Sequence, residues 1–174
     1  MKAFKIMMLL FTLISISGCE NYSGSSIEYS PIFPICGEWR VRITDTSTGQ
    51  LVTNTVYTMS TYNTTDNDVD KMWIRVTSAM AGGLGTVRGK ISCDVNSLSF
   101  SGTNVPDVSV VAPAVATFSV TEGKITLNAL DMPSGVKADK ISFKYTTTKV
   151  AGKTFLFEGF RQTLWPDDQS YNSY

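Results

Sequence analysis

From Gly37 onward, apolar and polar residues alternate in short runs that are separated by turn residues. In the first run Trp39, Val41 and Ile43 fall on one side of an extended chain, and polar residues fall on the other. A period of two is typical of a half-buried β-strand, and no run keeps a helical period beyond a turn or two. The sequence therefore predicts an all-β domain.

The same pattern predicts eight or nine short strands. In chain order the runs are GEWRVRIT, LVTNTVYTMSTY, KMWIRVTS, VRGKISCDV, SLSFSG, VATFSVTE, KITLNALD, KISFKYTTT and TFLFEGFRQT. Turn signals between them include Ser47 to Gln50 and the pair Glu122-Gly123. Even spacing favours a meander that closes on itself, because closure leaves no unpaired edge strand. We expect a single closed antiparallel up-and-down barrel of about eight strands over residues 37–165, then a tail over 166–174; a β-sandwich is the alternative.

The N-terminus has the pattern of an export signal. Residues 1–18 begin with lysines, continue with an apolar run shorter than the about 20 residues of a spanning helix, and end in small residues. The tetrapeptide ISGC, which ends at Cys19, resembles the lipobox of bacterial lipoproteins, in which the cysteine carries the lipid. We therefore expect a lipid anchor at Cys19, a flexible tether over residues 19–36, and a location in the bacterial cell envelope at the outer membrane. Which leaflet holds the anchor is open.

Charge excludes one class of partner. The chain has 15 basic and 15 acidic residues, and cleavage before Cys19 would remove two of the lysines. The mature chain would be slightly acidic, so we expect no nucleic-acid surface. No motif for a cofactor is present, and we expect none.

Two further cysteines, Cys36 and Cys93, would lie in an oxidising compartment after export. They can pair as a disulfide across a long loop, or they can be two small buried thiols. The sequence leaves both alternatives open.

The two ends of the barrel region carry a resemblance to the calycin superfamily of lipocalins and their relatives. The motif G-x-W opens the first strand at Gly37 and Trp39, and Arg161 lies in the last strand with the same parity as Phe155 and Phe157. In that superfamily the tryptophan plugs one end of the barrel and the arginine lays its guanidinium across the indole. The resemblance implies this contact between Trp39 and Arg161.

Residues 37–163 also resemble a bacterial lipoprotein family catalogued as lipid-binding putative hydrolases. The similarity is carried by GEWRV, TYNTTDNDVDKMWI and FEGFR. It implies a lipocalin-like barrel with an apolar interior. The positions of this chain that match the family's segments, and to which its features are transferred, are Gly37, Trp39, the loop from Asn63 to Asp70, and Trp73.

Hydrolytic chemistry has little support from the residues themselves. The chain contains no histidine, so no Ser-His-Asp or Cys-His arrangement exists, and no G-x-S-x-G motif is present. A Ser-Lys pair or two carboxylates could still hydrolyse a substrate, but no spacing singles out a pair. We expect a binding protein, and a hydrolase is kept as a further alternative.

Two loops invite readings as ligand sites. Asp66, Asp68 and Asp70 offer carboxylates at alternate positions, as in a calcium loop, but Lys71 and Thr77 stand where an EF-hand needs glycine and glutamate. A solvated acidic loop is the preferred interpretation.

The glycine-rich stretch GGLGTVRG from residue 82 to 89 lacks the third glycine of a phosphate-binding loop, so we interpret it as a flexible connection at a barrel mouth.

The expected partner is a lipid or another apolar small molecule inside the barrel, although a barrel of this size can also fill itself with side chains. A module that engages a glycan or a protein through exposed aromatics such as Trp73 and Trp165 is the alternative; the oligomeric state is open. The candidate ligand-binding residues are the apolar residues of the inner face: Tyr57, Met59, Met72, Ile74, Ile91, Phe100, Phe143, Tyr145, Phe155 and Phe157.

Overall fold

The computed structural model describes residues 28–109 and 116–171. In chain order the strands are β1 (Gly37–Asp45), β2 (Gln50–Leu51), β3 (Tyr57–Asn63), β4 (Lys71–Met80), β5 (Gly85–Asp94), β6 (Ser99–Pro106), β7 (Thr117–Asp131), β8 (Lys137–Thr147) and β9 (Val150–Arg161). All pair antiparallel with their neighbours, and β1 also pairs with β9. The predicted closed barrel of eight antiparallel strands is confirmed, with β2 as one extra strand, and the sandwich alternative is wrong.

Closure is made by the first and last long strands. Trp39 lies opposite Arg161 and Asp45 lies opposite Phe155, so the two strands pair over most of their length. The short strand β2 pairs only with the far end of β1, where Leu51 lies opposite Thr44. Strand β3 takes the rest of that edge of β1, and it continues the barrel wall.

The alternation of the sequence becomes the two faces of the wall. Along β1, for example, every second residue from Trp39 to Asp45 is buried. The inward residues of the eight strands form one apolar cluster that fills the barrel. All ten candidate interior residues belong to it, none more than 6 % exposed.

Two strand predictions were wrong in detail. The pair Glu122-Gly123 is not a turn between two strands, because β7 runs through it with a shift of register. Gly123 packs against Phe100, and a Cβ there would lie 2.3 Å from the Phe100 carbonyl oxygen. The close approach bends one long strand into the barrel wall. The run after Ser47 is also not one strand, since residues 52–56 separate β2 from β3.

Both ends of the described chain belong to the folded body. At the N-terminal side a 3₁₀ turn, Phe33–Ile35, places Ile32 and Ile35 in the core with no exposed surface. At the C-terminal side a second 3₁₀ turn, Pro166–Ser170, precedes Tyr171, whose ring packs on Phe160 outside the barrel. Residues assigned from sequence to the tether and to the tail therefore pack on the barrel.

The predicted signal peptide over residues 1–18 and the predicted lipid site at Cys19 lie outside the described residues. Within residues 28–109 and 116–171, no helix has the length and apolar character required to cross a membrane.

Candidate lipid-binding barrel

The closed end of the barrel is sealed by Trp39 and Arg161. The guanidinium carbon of Arg161 lies 4.6 Å from the centre of the indole, and Trp39 has no exposed surface. The stacking is a cation–π contact, which is stronger where water is excluded. The structure thus contains the contact that the resemblance to calycins implied.

Arg161 also holds the chain that enters the barrel. Its Nη2 donates to the carbonyl oxygen of Pro34 at 2.8 Å, its Nη1 donates to that of Cys36, and its Nε donates to Asp139 at 2.8 Å. Gly37 leaves room for this side chain, because a Cβ there would lie 2.6 Å from Nη1 of Arg161. The glycine of the motif therefore leaves the space that the arginine side chain occupies.

The indole nitrogen of Trp39 starts a short buried chain of hydrogen bonds. It donates to Oγ1 of Thr61 at 2.8 Å, and Thr61 donates in turn to the carbonyl oxygen of Ile35 at 2.7 Å. These bonds satisfy the polar atoms at this end of the core. They also fix the N-terminal segment across the base of the barrel.

Above this base the interior is filled by aromatic rings in contact with one another. Phe143 packs on Phe157 with ring centres 4.8 Å apart and on Phe100 at 5.6 Å. Tyr145 continues the chain of rings, since its centre lies 5.2 Å from Phe157 and 5.7 Å from Phe118. The candidate residues therefore lie together, and they form the packed core of this structure.

One polar atom in this interior lacks a well-formed hydrogen bond. The hydroxyl of Tyr145 is buried, with the residue 1 % exposed, and within the described residues it makes no hydrogen bond of good geometry, although the Thr147 side chain is close enough to interact with it. Thr147, two residues further along β8, donates its own hydroxyl to the carbonyl oxygen of Thr117. Burial raises the pKa of the Tyr145 phenol and outweighs the lowering effect of the Thr147 side chain, and the nearby charge of Asp107 adds a smaller increase, so the phenol stays a neutral donor. An unsatisfied buried hydroxyl is costly unless a water or a ligand pairs with it.

The opposite end, the mouth, is covered by the connection between β4 and β5, residues 81–84, here named the mouth loop. Leu84 from this loop is fully buried in the barrel core. The loop is tied down where the backbone N–H of Ala81 donates to the hydroxyl of Tyr57 at 2.9 Å. Gly82 and Gly83 have positive φ values of 69° and 80°, which glycine adopts without strain. The predicted connection at the mouth thus covers this end of the barrel, and the side chain of Leu84 fills the opening.

A buried ion pair lies beside the mouth loop. Asp107, just beyond β6, meets the ammonium of Lys149 at 2.5 Å, with side-chain exposures of 0 % and 16 %. Burial would raise the pKa of Asp107, but hydrogen bonds from Lys149, Ser109 and the backbone of Arg88 outweigh it and lower the pKa. Lys149 also donates to the carbonyl oxygen of Thr86, so the pair joins the β6–β7 and β8–β9 connections to the start of β5. No sequence signal distinguished these two residues from other surface charges.

The acidic loop between β3 and β4 is held by its own side chains. Thr64 is buried and donates to Asp68 at 2.9 Å, while the backbone N–H of Asp68 donates back to Thr64. Asp70 instead faces Lys71 at 3.4 Å. Within the described residues no three acidic, cysteine or histidine side chains are grouped to hold a metal ion. Asp66, Asp68 and Asp70 are therefore not brought together.

Cys36 and Cys93 are free thiols, so the disulfide left open from sequence is not formed. Cys93 points from β5 into the core, and Cys36 lies at the edge of the core before β1. Burial, reinforced by the Asp70 charge, raises the pKa of the Cys93 thiol to about 11, and burial also raises the pKa of Cys36. Both thiols are poor nucleophiles at neutral pH.

The two candidate surface tryptophans differ. Trp73 is half-buried, because its ring stacks on Tyr62 with centres 6.4 Å apart and Lys90 lies over it at 5.8 Å. Trp165 is 56 % exposed. Trp73 is therefore part of the outer wall, whereas Trp165 is available for contact.

A buried carboxylate in the C-terminal segment was missed by the sequence analysis. Asp168 has no exposed surface and accepts hydrogen bonds from the backbone and side chain of Ser134 and from Thr163. Burial acts to raise its pKa, but these bonds outweigh burial and lower it. Asp168 thus fastens the C-terminal turn to the β7–β8 connection. An aspartate among polar tail residues carries no signal of burial.

A Ser-Lys pair does exist on the surface. Nζ of Lys71 lies 3.0 Å from Oγ of Ser92, but the Lys71 side chain is 39 % exposed and faces Asp70 as well. A lysine that acts as a base is shielded from water, whereas Lys71 is exposed and lies beside a carboxylate. The pair does not have the surroundings of a hydrolytic site.

A family model described as "Lipid-binding putative hydrolase" matches residues 25–166, which include the whole barrel. The chain belongs to this family. The resemblance inferred from the GEWRV, loop and FEGFR segments is thereby confirmed. Membership of the lipid-binding family, together with the barrel fold, supports binding of a lipid.

Other comparisons add little. No curated protein matches the chain. One similar solved structure is the crystal structure of a structural-genomics protein of unknown function from Bacteroides ovatus, at 15% sequence identity and a TM-score of 0.41. The match covers 75% of this chain and 42% of that one, so this chain spans less than half the length of that protein.

Proposed function

We propose that this protein is a lipid-anchored protein of the bacterial cell envelope, held by Cys19, whose barrel takes up an apolar molecule with one polar end, such as a fatty acid. The observation that carries the proposal is the closed apolar interior, in which the buried Tyr145 hydroxyl has no hydrogen bond of good geometry. An acyl chain fits the apolar wall, and its carboxylate or carbonyl oxygen accepts the missing hydrogen bond. Membership of the lipid-binding family supports the same ligand class.

Entry takes place at the mouth. Opening the mouth loop withdraws Leu84 from the core, which costs about 1.5–3 kcal/mol, and breaks the bond from Ala81 to Tyr57, which costs about 1 kcal/mol. An acyl chain that buries about 300 Å² gains roughly 7 kcal/mol at about 25 cal/mol per Å², which exceeds that cost. The ligand's apolar surface therefore drives the opening.

The filled interior must rearrange to admit a chain. Met59 and Met72 lie in the wall among the rings, and methionine adapts to irregular space more readily than branched side chains do. The rings of Phe143 and Phe157 can separate when a chain of similar apolar character replaces their contact. The family's name suggests hydrolysis, but the chain lacks histidine and we propose binding alone.

The test is titration of the purified protein with cis-parinaric acid, a polyene fatty acid that fluoresces in apolar surroundings. We expect saturable binding of one probe per chain, displaced by oleic acid. Tyr145→Phe keeps the ring and removes the hydroxyl, so it should weaken binding about tenfold, the effect of one hydrogen bond to a charged group. Leu84→Ala should speed probe entry.

Tyr62→Phe is the matched control, because Tyr62 lies on the outer wall against Trp73 and its loss should leave binding unchanged. Absence of saturable binding by the wild-type protein would refute the proposed ligand class. The mass of the N-terminal peptide from protein exported in a bacterium tests the anchor at Cys19 separately. An unmodified Cys19 would refute the anchoring.

A further inference from the structure

Large apolar side chains are exposed at the closed end of the barrel. Tyr29 is 59 % exposed and Phe33 is 49 % exposed, and their rings pack together with centres 4.2 Å apart. Leu164 and Trp165, just after β9, are 74 % and 56 % exposed. Single exposed apolar residues are ordinary, but a set gathered at one end of a protein indicates a contact surface.

Both pairs flank the residue that seals this end. Arg161 ends β9 three residues before Leu164, and its Nη2 donates to the carbonyl oxygen of Pro34, the residue after Phe33. The two pairs therefore lie on the rim around the Trp39–Arg161 seal. We name Tyr29, Phe33, Leu164 and Trp165 the basal rim.

The described chain also begins at this end, with Glu28 next to the basal rim. Cys19 precedes Tyr29 by 10 residues, so even a fully extended chain would reach about 35 Å at most. A lipid on Cys19 would thus hold the closed end of the barrel within about 35 Å of the membrane surface.

We propose that the basal rim is a membrane-docking surface that inserts its aromatic and apolar side chains into the interfacial region of the bilayer that holds the anchor. The inference rests on the anchoring part of the proposed function. Tyrosine and tryptophan are the residues that favour this region, because each has an apolar ring and a polar atom that stays hydrated.

Docking by this end fixes the orientation of the barrel. The mouth loop and the Asp107–Lys149 pair lie at the opposite end, so they face away from the membrane. The apolar ligand then enters from the aqueous side and does not pass directly from the anchoring bilayer into the mouth. Acidic residues on the neighbouring β3–β4 loop, Asp66 and Asp70, give no attraction to anionic lipids, so docking depends on apolar insertion.

The experiment uses Trp165 as a depth probe. The full chain is exported with its own signal, purified in detergent and reconstituted into phosphatidylcholine vesicles with either plain or dibrominated acyl chains. A Trp73→Phe variant leaves Trp39, which is sealed from solvent, and Trp165 as the two emitters. Since bromine quenches tryptophan at close range, we expect most of the Trp165 emission to be lost in brominated vesicles, equally at low and high salt.

Two variants made on the Trp73→Phe background give the controls. Trp165→Phe should abolish the difference between plain and brominated vesicles. Combining it with Leu51→Trp places a tryptophan on β2 at the mouth end, and this emission should not be quenched.

Equal Trp165 emission in plain and brominated vesicles would overturn the docking proposal. If the mass of the N-terminal peptide then shows that Cys19 carries lipid, only the docking proposal is refuted and the proposed anchor stands. Quenching in a chain whose Cys19 is unmodified would support docking by the basal rim alone and refute the anchor.

Discussion

The stack of Arg161 on Trp39 leads to a prediction about stability. Arg161→Met removes the cation–π contact, worth about 1 kcal/mol, and hydrogen bonds from a charged donor to two carbonyl oxygens, worth about 1.5 kcal/mol each. It also leaves Asp139 without its cationic partner. We expect the free energy of unfolding to fall by about 3–4 kcal/mol, a large share of the stability of a single domain.

The measurement is equilibrium unfolding in urea at pH 7, followed by tryptophan emission and near-ultraviolet circular dichroism. Lys140→Met is the matched control, because Lys140 pairs with Glu158 on the wall with both side chains 31 % exposed and should cost less than about 1 kcal/mol. Arg161→Lys should recover little, since an ammonium cannot stack flat on the indole while it reaches both carbonyl oxygens. Equal losses for Arg161→Met and Lys140→Met would refute the reasoning that this seal holds the barrel closed.

Three further predictions concern other parts of the barrel. Gly37→Ala should destabilise the fold, visible as a lower midpoint in urea, because its Cβ would displace Arg161; unchanged stability would contradict the packing. The Cys93 thiol should resist iodoacetamide at pH 8 in the folded protein and react after denaturation, as peptide mass mapping would show, and rapid labelling of the folded protein would contradict its raised pKa. Asp107→Asn should cost about 3 kcal/mol at pH 7, because it leaves Lys149 without a charged partner. The pKa of Asp107 is lowered on folding, so its contribution to the free energy of unfolding is complete above the ordinary pKa near 4 and is lost as the pH falls through the folded pKa. The urea midpoints of wild type and variant should therefore converge in acid. A constant difference between the two midpoints would contradict this.

Several features of the fold could be predicted because they depend on local pattern. Alternation in β1 and the common parity of Phe155, Phe157 and Arg161 indicate which side chains share a face, whatever the strands pair with. The contact between Trp39 and Arg161 required the resemblance to calycins as well, since parity alone does not bring the first and last strands together.

Other features could not be predicted, because they depend on contacts between residues distant in sequence. Glu122-Gly123 has the composition of a turn, and only the approach of Gly123 to Phe100 makes it a bend within β7. Leu84 lies between glycines in a connection, where nothing in the local sequence distinguishes an exposed residue from one that is buried in the barrel core.

The all-β class and the inward face of each strand follow from local pattern, because the period of a strand is a property of neighbouring residues. The contents of the enclosed space depend on contacts between distant residues. Closure brings side chains from all eight strands into one volume, and whether they fill it or leave the Tyr145 hydroxyl unpaired depends on their combined shapes.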